Sequence, residues 1–111
     1  MKYPHHPLLD MDILSMQMRL PIILPNANIK MIPCYKIRFI KASRNYSEIT
    51  VASGEVYIHT SCLKSFAIRL CDSYFIRCHK SFIVNILFVD EIRRKDKQIV
   101  LDDGSILPCS T

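Results

Sequence analysis

The sequence is poor in glycine, with only Gly54 and Gly104 among 111 residues, and it contains no tryptophan. Two isolated glycines cannot form a phosphate-cradling loop, which excludes the common nucleotide-binding motifs. No Cys-x-x-Cys pair occurs, so a zinc finger or ribbon is not expected, and Cys62, Cys71 and Cys78 are spaced too irregularly for a metal site. His5 and His6 are neighbours without a supporting thiol or carboxylate, a weak ligand set. No apolar run approaches the ~18 residues that a membrane span needs. Residues 1–20 have no continuous apolar stretch behind a basic start, because Pro4, Pro7, Asp10 and Asp12 interrupt them; a secretory signal is therefore not expected. The remaining cysteines are Cys34 and Cys109, giving an odd total of five. Free thiols in a reducing, cytoplasmic compartment fit that count better than a disulfide framework. Catalytic constellations are missing too. Cys78 and His79, adjacent on a strand, point to opposite faces and cannot form a nucleophile pair. Asp102 and Asp103 beside Gly104 read as a turn. No enzyme activity, metal, cofactor or membrane association is expected.

What the chain has is apolar content and an uneven charge distribution. Hydrophobic residues make up 50% of the sequence, enough for one domain with a modest core. The net charge is +5. From Lys30 to Ser47 there are five basic residues (Lys30, Lys36, Arg38, Lys41, Arg44) and no acid. From Ser73 to Val89 there are Arg77, His79 and Lys80, again with no acid. Acids gather at Asp10 and Asp12, then at Asp90, Glu91, Asp96, Asp102 and Asp103. Two basic stretches separated in sequence can converge on one polyanion-binding face, or can be ordinary solvated charge.

Residues 1–19 read as a tail. Leu8, Met11, Leu14 and Met18 have helical spacing, so the tail is either a short amphipathic helix or a loosely attached extension. From about Leu20 the pattern becomes strand-like and continues to the end. Pro21–Pro25 and Ile29–Ile32 form a hairpin across the turn Asn26–Asn28. Ile37–Ile40 is a strand and Ser43–Asn45 a polar loop. Ile49, Val51, Val56 and Ile58 alternate about Ser53-Gly54, which places all four on a buried face. One helix follows, capped by Thr60 or Ser61, with an apolar stripe at Leu63, Phe66, Ala67 and Leu70. It carries few cations and reads as a core-packing element. Phe75–Ser81 leads into Phe82–Asn85. Leu87–Arg93 and Gln98–Leu101 flank the turn Lys95–Lys97, and Asp102–Gly104 turns the chain back through Ile106–Pro108. Strands, one short α-helix and strands again, joined by short turns, predict a mainly β fold of small antiparallel sheets.

The segment Tyr74-Phe75-Ile76-Arg77-Cys78-His79-Lys80-Ser81-Phe82-Ile83-Val84-Asn85 resembles the signature of LytTR-type DNA-binding domains. There a Phe-x-Arg-x-His-Arg/Lys-Ser stretch runs into an apolar-Val-Asn strand. Upstream, Ile37 to Tyr46 is similar to the family's strand and Asn-Tyr loop. Downstream, Val89-Asp90-Glu91-Ile92 and Leu101 to Pro108 are similar to its closing hairpin. The resemblance spans residues 20–111 and implies an elongated LytTR-like fold in which loops at strand ends, not a recognition helix, enter duplex DNA.

Carried over residue by residue, the resemblance implies two sets of DNA-binding residues: Arg44, Asn45, Tyr46 and Ser47, then Arg77, His79, Lys80 and Ser81. Arg and Lys can donate to phosphates or to guanine, Asn can bridge adenine, and Ser can donate to phosphate. For several of these a structural role is the alternative: Arg77 holding the second loop through backbone carbonyls, His79 positioning Lys80, Tyr46 in the core. Asn85 is expected to tie a strand end. The family continues beyond its final Ser with a basic residue, whereas this sequence stops at Ser110-Thr111, which reads as a short, C-terminally truncated form. Where the family often has an aliphatic residue, this sequence has Cys78. Nearby cations would favour its thiolate, making Cys78 a candidate redox site with Cys109 as a disulfide partner; a small buried residue is the alternative. The implied function is transcription regulation through double-stranded DNA, as a weak homodimer on paired half-sites. The competing expectation is an interaction module that pairs with a full-length partner regulator through an exposed strand edge.

Overall fold

The structure, a computed structural model, describes residues 19–70 and 74–110. The tail stripe Leu8, Met11, Leu14 and Met18, the His5-His6 pair and Cys71 lie outside those residues. The strands are β1 (Arg19–Ile23), β2 (Ile29–Pro33), β3 (Ile37–Ser43), β4 (Tyr46–Val51), β5 (Val56–His59), β6 (Phe75–His79), β7 (Phe82–Asn85), β8 (Val89–Arg93), β9 (Gln98–Leu101) and β10 (Ile106–Pro108). The helix α1 (Leu63–Leu70) sits between β5 and β6, and short 3-10 turns at Cys34–Lys36 and Ile86–Phe88 precede β3 and β8. No helix among the described residues is long and apolar enough to cross a membrane.

All pairings are antiparallel and form three sheets: the hairpin β1-β2, a central sheet in the order β5-β4-β3-β7-β6, and a closing sheet β10-β9-β8. Two apolar clusters hold them together. The larger joins Leu20, Ile22 and Ile32 of the hairpin to Ile37, Ile40, Ile49 and Ile83 of the central sheet, and to Leu63, Phe66 and Leu70 of α1. The helix buries Leu63, Phe66 and Leu70 of its apolar stripe, Ala67 packs half-buried beside them, and Lys64 and Arg69 stay exposed. The smaller cluster joins Cys78 and Val84 of the central sheet to Ile99, Leu101 and Leu107 of the closing sheet.

Two predictions about local structure fail here. Ile49 and Val51 are buried, but Val56 and Ile58 are 53% and 50% exposed. The register pairs Ile49 with Tyr57, Thr50 with Val56 and Glu48 with Ile58. Directly paired residues share a face, so Tyr57 packs on the core and its two aliphatic neighbours face outward. The four-residue connection Ala52–Glu55, closed by the Val51 N–H donating to the Glu55 carbonyl at 3.0 Å, sets that register. The helix also starts later than a Thr60 or Ser61 cap would require. Cys62 precedes it, and its carbonyl accepts from the N–H groups of Ser65 and Phe66.

Polar contacts lock the sheets at the end where β3 begins. Asn85 is fully buried. Its Nδ2 donates to the Ile37 carbonyl at 2.8 Å and to the Tyr35 carbonyl at 3.4 Å, and its Oδ1 accepts from the Leu87 N–H at 2.9 Å. One side chain thus starts the 3-10 turn after β7 and fixes the entry to β3. Arg38 stacks over the Phe88 ring and donates to Asp102 at 2.6 Å, joining the central and closing sheets.

Candidate nucleic-acid interface

Both candidate segments fall at the opposite end of the central sheet. β3 and β4 are joined by a two-residue turn, Arg44-Asn45, and β6 and β7 by another, Lys80-Ser81. These tight connections follow from polar pairs set between apolar runs. The register then decides their neighbourhood. β3 pairs with β7 so that Lys41 faces Phe82, and the Ala42 N–H donates to the Ser81 carbonyl at 2.8 Å. The two turns therefore lie side by side, although about 35 residues separate them in sequence.

Arg44, Asn45 and Lys80 are exposed, Ser81, His79 and Tyr46 half-buried. Arg44 has φ 54°, a left-handed conformation that glycine or asparagine adopts at lower cost. In the second turn two side chains work on the backbone. The Arg77 guanidinium donates to the Lys80 carbonyl at 2.9 Å, and His79 Nδ1 accepts from the Ser81 N–H at 3.0 Å. With Nδ1 accepting, the neutral imidazole carries its proton on Nε2, a donor that remains for an outside acceptor. His79 also stands edge-on to Phe82, at 6.0 Å between centroids. Lys80 is thus presented by a turn braced on both sides.

Ser47 does not lie on this surface. It is fully buried, and its hydroxyl donates to the Ser61 carbonyl at 2.8 Å. It lies on β4 opposite His59. Assigning it to DNA is corrected to a structural role. Cys78 departs from its redox assignment as well. It is buried, and burial, followed by the neighbouring Cys109, pushes its thiol up to about 11. Desolvation is the largest cause, so the thiol is held protonated rather than favoured as a thiolate. The expected proximity does exist: the Ser110 N–H donates to the Cys78 carbonyl at 2.9 Å, and both thiols belong to the smaller cluster and are free.

Two basic features lie beside these turns that were not among the candidate DNA contacts. Lys41 is exposed on β3, one residue from the Ala42–Ser81 link. The β8–β9 connection carries Arg94, Lys95 and Lys97, all exposed. The Lys97 carbonyl accepts from the Cys109 N–H at 2.8 Å, and the next residue, Ser110, bonds to Cys78 in β6. That chain of backbone bonds brings a third basic turn toward the second. The run of cations from Arg93 to Lys97 was the available signal; only the closing strand shows which way it faces.

The sequence matches the description LytTr DNA-binding domain over residues 27–111. Among curated proteins none matches the chain. Among solved structures it is similar to the LytTr DNA-binding domain of a protein from Bacillus cereus described as a methyl-accepting/DNA response regulator. That likeness has a TM-score of 0.74 and 23% identity, and it covers 84% of this chain and 86% of the other. At that identity the solved structure speaks to the fold, while the family match covers most of the sequence. The mainly β architecture, the paired turns and the family match converge: the chain belongs to the LytTR DNA-binding domain family.

Proposed function

We propose that this protein binds duplex DNA sequence-specifically, as a transcriptional regulator in the cytoplasm, by inserting its β3–β4 and β6–β7 turns into the major groove. The observation that carries the reading is the Ala42–Ser81 bond, which joins two acid-free turns into one basic edge. Arg44, Asn45, Lys80 and the Nε2–H of His79 are its base and phosphate donors, with Tyr46 and Ser81 beside them. Arg77 serves as the brace of the second turn. Lys41 and the β8–β9 turn extend the phosphate-binding surface. A sheet edge suits this task because a rigid scaffold holds short connections in place.

Selection of binders from a random duplex pool, followed by anisotropy titrations in increasing salt, tests the proposal. Neutralising about four phosphates gives a slope of log K against log salt near −3.6, at ~0.9 per contact. A folded chain with a slope near zero, or with no enriched sequence, refutes it.

One observation favours a second reading, a module that pairs with another regulator. On the outer face of the β1–β2 hairpin, Ile23 and Ile29 stand opposite each other, 73% and 63% exposed, and Met31 beside them is 50% exposed. An apolar ladder on an open hairpin is a surface that protein partners cover. Co-purification of a partner regulator without duplex binding would select it.

A further inference from the structure

The outer face of the β1–β2 hairpin is apolar apart from one corner. Antiparallel pairing sets Arg19 opposite Pro33, Pro21 opposite Met31 and Ile23 opposite Ile29 on that face, while Leu20, Ile22 and Ile32 turn inward to the core. Pro21, Ile23, Ile29 and Met31 are exposed and Pro33 is half-buried. A contiguous exposed ladder of this kind is a surface that another segment covers. It is too small for a stable dimer, which needs roughly 20–30 residues a side. Its border is cationic. Arg19, Lys30 and Lys36 line a groove of about 470 Å³ there, whose carboxylate, Glu55, accepts from the Ser53 and Tyr57 hydroxyls at 3.2 Å each. A short cover fits this surface if it is apolar on one side and carries acid at the flank.

We propose that residues 8–18 form a helix that folds back over this face, with Leu8, Met11 and Leu14 on the ladder, Asp10 and Asp12 at the flanks, and Asp10 toward Lys30. The sequence bounds such a helix: Pro7 precedes it, where helix starts accept proline, and Pro21 follows it. The lengths agree. β1 has five residues, ~16 Å of strand at ~3.3 Å each, and residues 8–18 make ~16 Å of helix at 1.5 Å each. A helix that reverses at Arg19 sets Leu14 level with the Pro21–Met31 pair, and Asp10 level with the Ile22–Lys30 pair, ~10–12 Å along the strand. The signs agree as well, because Asp10 and Asp12 are the only acids before Glu48. The tail thus closes the ladder, and a partner regulator that uses this surface must displace it. The docking does not depend on DNA binding.

The test uses the full chain, with methyl NMR and proteolysis before Asp10. Nuclear Overhauser contacts are expected from Met11 and Leu14 to Ile23, Ile29 and Met31, within one molecule in an isotope-mixed sample. Leu14→Glu removes them and leaves the closing-sheet resonances in place. It also speeds cleavage before Asp10 about tenfold or more, the factor that one buried leucine side chain contributes when cleavage follows the open population. Ile29→Glu, on the other side of the contact at a position 63% exposed, speeds cleavage likewise without touching the core. Absence of these contacts, contacts found only between different molecules, or a cleavage rate that neither substitution changes would each overturn the proposal.

Discussion

Replacing Lys80 by alanine separates contact from scaffolding. Lys80 is exposed, and among the described residues its ammonium has no hydrogen-bond or ion-pair partner. Its removal therefore changes folding by no more than ~0.5 kcal/mol, the range for a free surface side chain. On DNA it removes one cation. With four phosphate contacts, raising salt from 50 to 200 mM weakens binding about 150-fold; with three, about 40-fold, because each contact contributes a slope of ~0.9. Arg77→Ala has a different signature. It loses the 2.9 Å bond to the Lys80 carbonyl, so the turn loosens and affinity falls, but the salt slope stays near the wild-type value. Arg77→Lys retains a donor and recovers part of the lost affinity. The assay is anisotropy of a labelled operator at four salt concentrations, with thermal melting of each variant as the folding control. A Lys80→Ala slope equal to wild type, with an unchanged melting temperature, refutes the assignment of Lys80 to phosphate.

Other predictions follow from buried groups. Ser47→Ala should cost ~1 kcal/mol by thermal melting, from the lost bond to the Ser61 carbonyl, with DNA affinity per folded molecule unchanged. Asn85→Leu should cost roughly 2–4 kcal/mol, because it strands the buried Ile37 carbonyl and removes the cap on the Leu87 N–H; denaturant titration measures it. Cys78, with its thiol raised to about 11, should react with iodoacetamide far more slowly at pH 7.5 than exposed Cys62, and should gain reactivity only as pH approaches that value. Mass spectrometry of the alkylated peptides decides it, and equal rates at pH 7.5 would contradict the burial argument.

Strong local signals made much of this fold legible. The apolar stripe of α1, the polar pairs between apolar runs and the Arg-x-His-Lys-Ser signature each depend on nearby residues alone. The succession of antiparallel hairpins about one helix could therefore be written from the sequence. Burial along β5 could not, because alternation is symmetric: Val56-Tyr57-Ile58 satisfies period two with either set inward. The length of the Ala52–Glu55 connection selects Tyr57, and only pairing with β4 reveals it. Ser47 was misplaced for a related reason. A hydroxyl beside a basic turn looks available until the fold buries it against the Ser61 carbonyl.

The sequence by itself determined which residue types sit at strand ends and that charge is segregated. Tertiary structure decided which ends meet. The Ala42–Ser81 bond unites turns that are distant in sequence, and the Cys109 and Ser110 amides draw the β8–β9 turn toward them. It also decided the state of Cys78, whose thiol is held protonated by burial in an apolar cluster. Local chemistry is encoded residue by residue, whereas burial and convergence depend on pairing register, which moves every side chain to the other face when it slips by one.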